Sequence, residues 1–107
     1  MSKTVLITGA SSGFGLLTSV DLAKRGWRVI ATMRDLGRRA LLEDAAGAAG
    51  VLERIEIHAL DVTNSTQTAA IAQELAGRLV PLDAVVNNAE GAKRAVGALL
   101  AAIRKLT

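Results

Sequence analysis

Thr4-Val5-Leu6-Ile7-Thr8-Gly9-Ala10-Ser11-Ser12-Gly13-Phe14-Gly15 decides how this chain reads. An apolar run of strand length passes into a turn holding three glycines, and a helix-compatible stretch follows. Gly9 lets the chain turn sharply out of the strand, and Gly13 removes a Cβ that would block close approach of a phosphate group. Gly15 allows the first helix to pack closely. The free N–H groups at the helix start and the positive end of its dipole attract anions, and Ser11 and Ser12 add hydroxyl donors. A glycine-rich turn without a ligand is the plainer alternative. Placement between a strand and a helix is the context that favours phosphate binding.

Outward from that turn, four apolar runs of strand length appear: Thr4–Thr8, Arg28–Met33, Arg54–Leu60 and Leu82–Asn87. Their starts lie 24, 26 and 28 residues apart, each with a helix-compatible segment behind it. That rhythm predicts consecutive βαβ units and an α/β parallel sheet. Val5-Leu6-Ile7, Val29-Ile30-Ala31 and Ala84-Val85-Val86 are unbroken, as strands covered on both faces should be. The third run alternates, Ile55, Ile57 and Ala59 against Glu56 and His58, which predicts an edge strand. Gly26 and Gly77 are expected to end helices in the left-handed conformation. Asn64 with Gln67 resembles a capping box opening a third helix, whose buried face is Thr68, Ile71, Ala72, Leu75 and Leu79. A second helix is expected over Leu36–Ala49, weakened by Gly47 and Gly50. A fourth is expected over Glu90–Leu106, with an apolar stripe from Ala92 to Leu106.

The 107 residues suffice for one domain, and half are hydrophobic. With one Trp, one Phe and no Tyr, the core must be aliphatic. No Cys is present, which excludes disulfides and thiolate zinc sites, and a single His cannot build a multi-histidine metal site. Thirteen Lys plus Arg against ten Asp plus Glu leave a charge of +3 and a pI near 10.0. The excess is spread along the chain, so a phosphate-bearing ligand is expected rather than a nucleic acid. No targeting or membrane-spanning segment is visible, and a cytoplasmic location is the default.

The pattern Thr8-Gly9-(x)3-Gly13-x-Gly15 resembles the cofactor fingerprint of the short-chain dehydrogenases/reductases of the classical type. Arg34 after the second strand, Asp61-Val62 after the third and Asn87-Asn88-Ala89 after the fourth match in register, so the resemblance covers residues 1–89. It implies a Rossmann-like doubly wound parallel sheet, truncated to four strands in order 3-2-1-4 with four helices on its two faces. It further implies that Gly9, Ser11, Ser12, Gly13, Phe14 and Gly15 line the pyrophosphate and ribose of a dinucleotide. A carboxylate after the second strand suits the ribose diol of NAD, whereas a cation suits the 2′-phosphate of NADP. Here Arg34 precedes Asp35, so NADP(H) is favoured; a solvated surface Arg is the alternative. Arg38 and Arg39 add positive potential, although Arg39 also stands four residues before Glu43. Asp61 and Val62 would hold the adenine, or Asp61 serves only its turn. Asn87, Asn88 and Ala89 would steady the fourth strand beside the nicotinamide-side ribose.

The family pattern continues Asn-Asn-Ala-Gly, but Glu90 stands where that glycine belongs. Glu90 either crowds the cofactor path or favours a helix dipole. The family's catalytic Ser, Tyr and Lys have no counterpart here, because the chain holds no Tyr. The resemblance therefore implies binding without oxidoreductase turnover, and weak binding, of order ~10 μM to 1 mM. The tail after Ala89 reads as an unrelated capping helix, engineered or divergent. A minimal scaffold with no ligand is the second reading. A homodimer is expected through the exposed edge of the fourth strand or through the last helix.

Overall fold

The computed structural model describes residues 3–78 and 82–88. Leu79, Ala89 and the helix expected over Glu90–Leu106 lie outside them. Four strands, β1 (Thr4–Ile7), β2 (Arg28–Met33), β3 (Ile55–Ala59) and β4 (Ala84–Val86), alternate with three helices, α1 (Gly13–Lys24), α2 (Ala40–Ala48) and α3 (Ser65–Gly77). All pairings are parallel, and the order is β3-β2-β1-β4. This is the doubly wound arrangement, with β3 at one edge as its alternating sequence required. From β1 the chain goes to one side for β2 and β3, then crosses to the other side for β4. This order places the switch point, where open α/β sheets bind their ligands, at the carboxyl ends of β1 and β4.

Alternate residues of the central strands feed two cores. Val5, Ile7, Val29, Ala31 and Met33 meet Ala23 of α1 and Leu42 and Ala46 of α2 on one face. Leu6 and Ile30 meet Ile71, Ala72 and Leu75 of α3 on the other. Apart from Thr4, Arg28 and Thr32 the central strands are apolar, because both faces are covered, and burying each Leu or Ile contributes about 1.5–3 kcal/mol.

Gly26 has φ +96°, and the amides of Gly26 and Trp27 return to the carbonyls of Ala23 and Leu22, so α1 ends as its sequence predicted. Gly50 performs the same reversal after α2, with φ +72°. Gly77 does not. It is the last residue of α3, and the Arg78 amide continues the helical ladder to Glu74 O, so no reversal occurs there. The second helix is also shorter than expected. Asp35 Oδ1 accepts from the Gly37 amide at 2.9 Å, which tightens Leu36–Arg38 into a 3-10 turn and delays α2 to Ala40. The expected capping box at Asn64 is half formed. Asn64 Oδ1 accepts from the Gln67 amide at 3.1 Å, but Gln67 Oε1 accepts from the Asp61 amide at 2.6 Å instead of reaching back to Asn64.

Candidate functional site

The turn after β1 is fixed by its backbone. Gly9 and Gly13 have φ +67° and +56°, a region costly for residues with a Cβ. A Cβ on Gly15 would collide with the carbonyl oxygen of Gly9 and lie 2.7 Å from Asn88 Nδ2, so close approach of α1 to the turn requires glycine there. Gly13 differs: a Cβ there would meet nothing within 4 Å. Its positive φ demands glycine, and the space before it is open.

Helix α1 begins without a capping side chain and without an acidic residue in its first turn. The first helical bond runs from the Leu16 amide to Ser12 O at 3.3 Å, so Gly13, Phe14 and Gly15 precede the ladder. A 12-residue helix thus presents its positive end just beyond the carboxyl end of β1. Ser11 is half-buried and Ser12 exposed at the same end. Phe14 is 68% exposed.

Asn88 contacts the turn directly. Its amide donates to Thr8 Oγ1 at 3.0 Å and its Nδ2 to Gly9 O at 3.1 Å. Asn87 is exposed, and Ala89 is outside the described residues. Arg34 is exposed immediately after β2. Asp35 beside it is committed to its own turn through the Gly37 amide. Arg39 pairs with Glu43 at 3.4 Å, the helix-surface contact that its spacing suggested. Asp61 Oδ1 accepts from both the hydroxyl and the amide of Thr63, at 2.6 and 2.9 Å. These two donors, with the positive charge of Arg34 as a smaller contribution, hold the Asp61 carboxyl below its ordinary range. Val62 packs half-buried against the α3-side core. Of the expected residues, the glycine turn and Asn88 are in direct contact, whereas Arg34 and Asp61 are linked only through charge.

Residues outside the expected set also build the site. Thr8 joins β1 to the segment after β4, and buried Thr32 bonds to the residues on either side of Thr8-Gly9. The only signal for Thr32 was a hydroxyl within the otherwise apolar run Val29–Met33. Among the described residues no group of three or more His, Asp or Glu could hold a metal, and no helix is long and apolar enough to cross a membrane.

The sequence model of the short chain dehydrogenase family matches residues 3–102. That match runs past Ala89, so the end of the recognisable motifs is not the end of the family match. An uncharacterized oxidoreductase of Bacillus subtilis, YusZ, is 42% identical over 87 residues, covering 81% of this chain and 30% of its own length. Retinol dehydrogenase 8 of Homo sapiens is 42% identical over 90 residues, covering 81% of this chain and 28% of its own. The chain thus spans under a third of the length of these relatives. Among solved structures, a metagenomic short-chain oxidoreductase in complex with NADP superposes with a TM-score of 0.81 at 28% identity. It covers 99% of this chain and 57% of that one. Actinorhodin polyketide ketoreductase with NADPH superposes with a TM-score of 0.73 at 26% identity, covering 98% and 46%.

Proposed function

The chain belongs to the short chain dehydrogenase family, and from that premise we propose that it is an NADP(H)-binding segment. The observation that carries this reading is the open helix start. Gly13 faces space that a Cβ would enter without contact, and its amide is one of the three that precede the helical ladder. An uncapped, acid-free helix N-terminus of this kind suits a pyrophosphate. The dinucleotide, when bound, supplies the nicotinamide hydride chemistry of the family. The chain's own residues bind and orient it.

In this reading the amides of Gly13, Phe14 and Gly15, with the hydroxyls of Ser11 and Ser12, take the pyrophosphate. The ionised Asp61 accepts from the adenine amino group with Val62 as its apolar neighbour. Asn87, Asn88 and Ala89 support the ribose on the nicotinamide side. Two relationships favour NADP over NAD. Arg34 is an exposed cation where a 2′-phosphate would lie, and it takes the first position after β2, ahead of Asp35, one oxygen of which already accepts from the Gly37 amide. Two of the solved relatives were captured with NADP and NADPH, in keeping with this choice.

The family's proton-transferring Tyr has no counterpart among these 107 residues. We therefore propose that this stretch by itself binds without turning over, with Kd in the range ~10 μM to 1 mM. Titration with NADPH, followed by its fluorescence, tests the binding. An assay for carbonyl-dependent NADPH oxidation by the same sample tests the absence of turnover. Saturable binding with no oxidation is the expected pair of results. No binding at millimolar NADPH overturns the first proposal, and steady oxidation overturns the second. With β4 open on one side among the described residues, we propose a second copy as the partner along Leu82–Val86. Sedimentation at a monomer's mass contradicts that.

A further inference from the structure

Five hydroxyl side chains of the described residues are buried: Thr4, Thr8, Ser19, Thr32 and Thr68. Ser19 and Thr68 bond carbonyls four residues earlier, Gly15 O at 2.7 Å and Asn64 O at 3.1 Å. Thr32 instead reaches across the sheet. Its Oγ1, fully buried on β2, donates to Ile7 O at 2.9 Å. Its own carbonyl accepts from the Ala10 amide at 3.0 Å.

Ile7 and Ala10 bracket Thr8-Gly9, the point where β1 gives way to the glycine turn. Thr32 thus holds both sides of the turn from β2. Asn88 and Val86 hold its middle from the β4 side, through Thr8 N–H, Thr8 Oγ1 and Gly9 O. The Thr32 hydroxyl is not needed for strand pairing, since the β1–β2 ladder is made by backbone groups. Val would pack at the same place in an apolar run and would avoid burying a hydroxyl, which costs free energy unless it is bonded. The direction of the turn sets where the start of α1 points.

We infer that Thr32 is a positioning residue for the pyrophosphate half of the dinucleotide site. It acts through the glycine turn and not by touching the ligand. The inference rests on the NADP(H) reading above. It predicts an effect confined to that half, because Arg34 and Asp61, which serve the adenosine half, are not held by this hydroxyl.

The test compares Thr32→Val and Thr32→Ser in the full chain with two probes, NADPH and adenosine 2′-phosphate, the second lacking a pyrophosphate. Thr32→Val should weaken NADPH roughly three- to tenfold, the loss typical of one hydrogen bond, and leave adenosine 2′-phosphate unchanged. Thr32→Ser, which keeps the hydroxyl, should bind NADPH like the parent. Equal NADPH binding by the Val variant, equal losses for both probes, or failure of Ser to restore binding each overturns the inference. If the parent chain binds no NADPH, the proposed function falls instead. Amide hydrogen exchange on the free chain then decides the role of Thr32. Faster exchange at Ala10 in the Val variant than in the Ser variant supports it, and equal exchange removes it.

Discussion

Asn88 Nδ2 donates to the carbonyl oxygen of Gly9 at 3.1 Å, joining residues 79 positions apart in sequence. The Asn88 amide meets Thr8 Oγ1 at the same time, so the end of β4 and the start of the glycine turn are one unit. Asn88→Ala leaves Gly9 O without this donor and should cost about 1–2 kcal/mol of stability. Urea unfolding followed by emission from Trp27, the chain's single Trp, measures it. An unchanged midpoint would mean that the contact contributes nothing.

Gly15 and Gly13 are glycines for different reasons, and substitution separates them. Gly15→Ala drives a methyl group into Gly9 O and Asn88 Nδ2, with overpacking expected to cost about 1–3 kcal/mol or more. Gly13→Ala meets no atom within 4 Å and carries only the strain of φ +56°, about 1–2 kcal/mol. Its methyl group projects into the space assigned to the pyrophosphate, so it should abolish NADPH binding while the chain still folds. Denaturation curves and NADPH titrations on both variants check the contrast. Retained NADPH binding by Gly13→Ala contradicts the assigned space.

Arg34→Ala removes the cation proposed to face the 2′-phosphate. NADPH should weaken roughly ten- to a hundredfold, as expected for a charge-assisted bond, with NADH little changed. Calorimetric titration with both dinucleotides reads the difference. Equal losses would reject the 2′-phosphate assignment.

Glu56 on β3 accepts from Arg78 at the end of α3, at 2.9 and 3.0 Å, and from Arg28 at 3.4 Å. His58 Nε2 lies 3.7 Å from the same carboxylate. Hydrogen bonding to Arg78 is the largest influence and, with the Arg78 charge, Arg28 and His58, holds the Glu56 carboxyl below its ordinary value of 4.5, although burial, the second-largest influence, opposes them. A depressed carboxyl stabilises the fold above its unfolded value and loses that contribution as pH falls through the folded one. Glu56→Gln should therefore be less stable at neutral pH, by about 0.5–1 kcal/mol for a partly exposed network. The gap from the parent should close as pH drops below 4.5. Unfolding midpoints measured across that range decide it, and a gap independent of pH would contradict the assignment.

Much of the fold was legible because period and spacing follow from burial. Apolar runs at β1 and β2 announced covered strands and alternation at β3 an edge, whereas the equally unbroken run of β4 lies half-buried at the other edge among the described residues. Gly26 announced a reversal because two consecutive amides there need carbonyl partners. Gly77 misled, since a glycine beyond Glu74-Leu75-Ala76 looks the same whether the helix stops there or runs one residue further. Asp35 was read only as a rival to Arg34. Its bond to the Gly37 amide depends on the local turn, which composition does not encode. Thr32 escaped notice because its partners, Ile7 and Ala10, become neighbours only when β1 and β2 pair. Local chemistry was readable, and contacts between elements were not.

The proposed function stands or falls on whether the start of α1 receives a pyrophosphate. Following the backbone amides of Gly9 through Gly15 by NMR during an NADP titration tests it most directly. Saturable shifts are expected, concentrated at Gly13, Phe14 and Gly15, with smaller shifts at Arg34 and Asp61. Amides of that turn which stay in place up to millimolar NADP, or shifts scattered evenly over the chain, would contradict it.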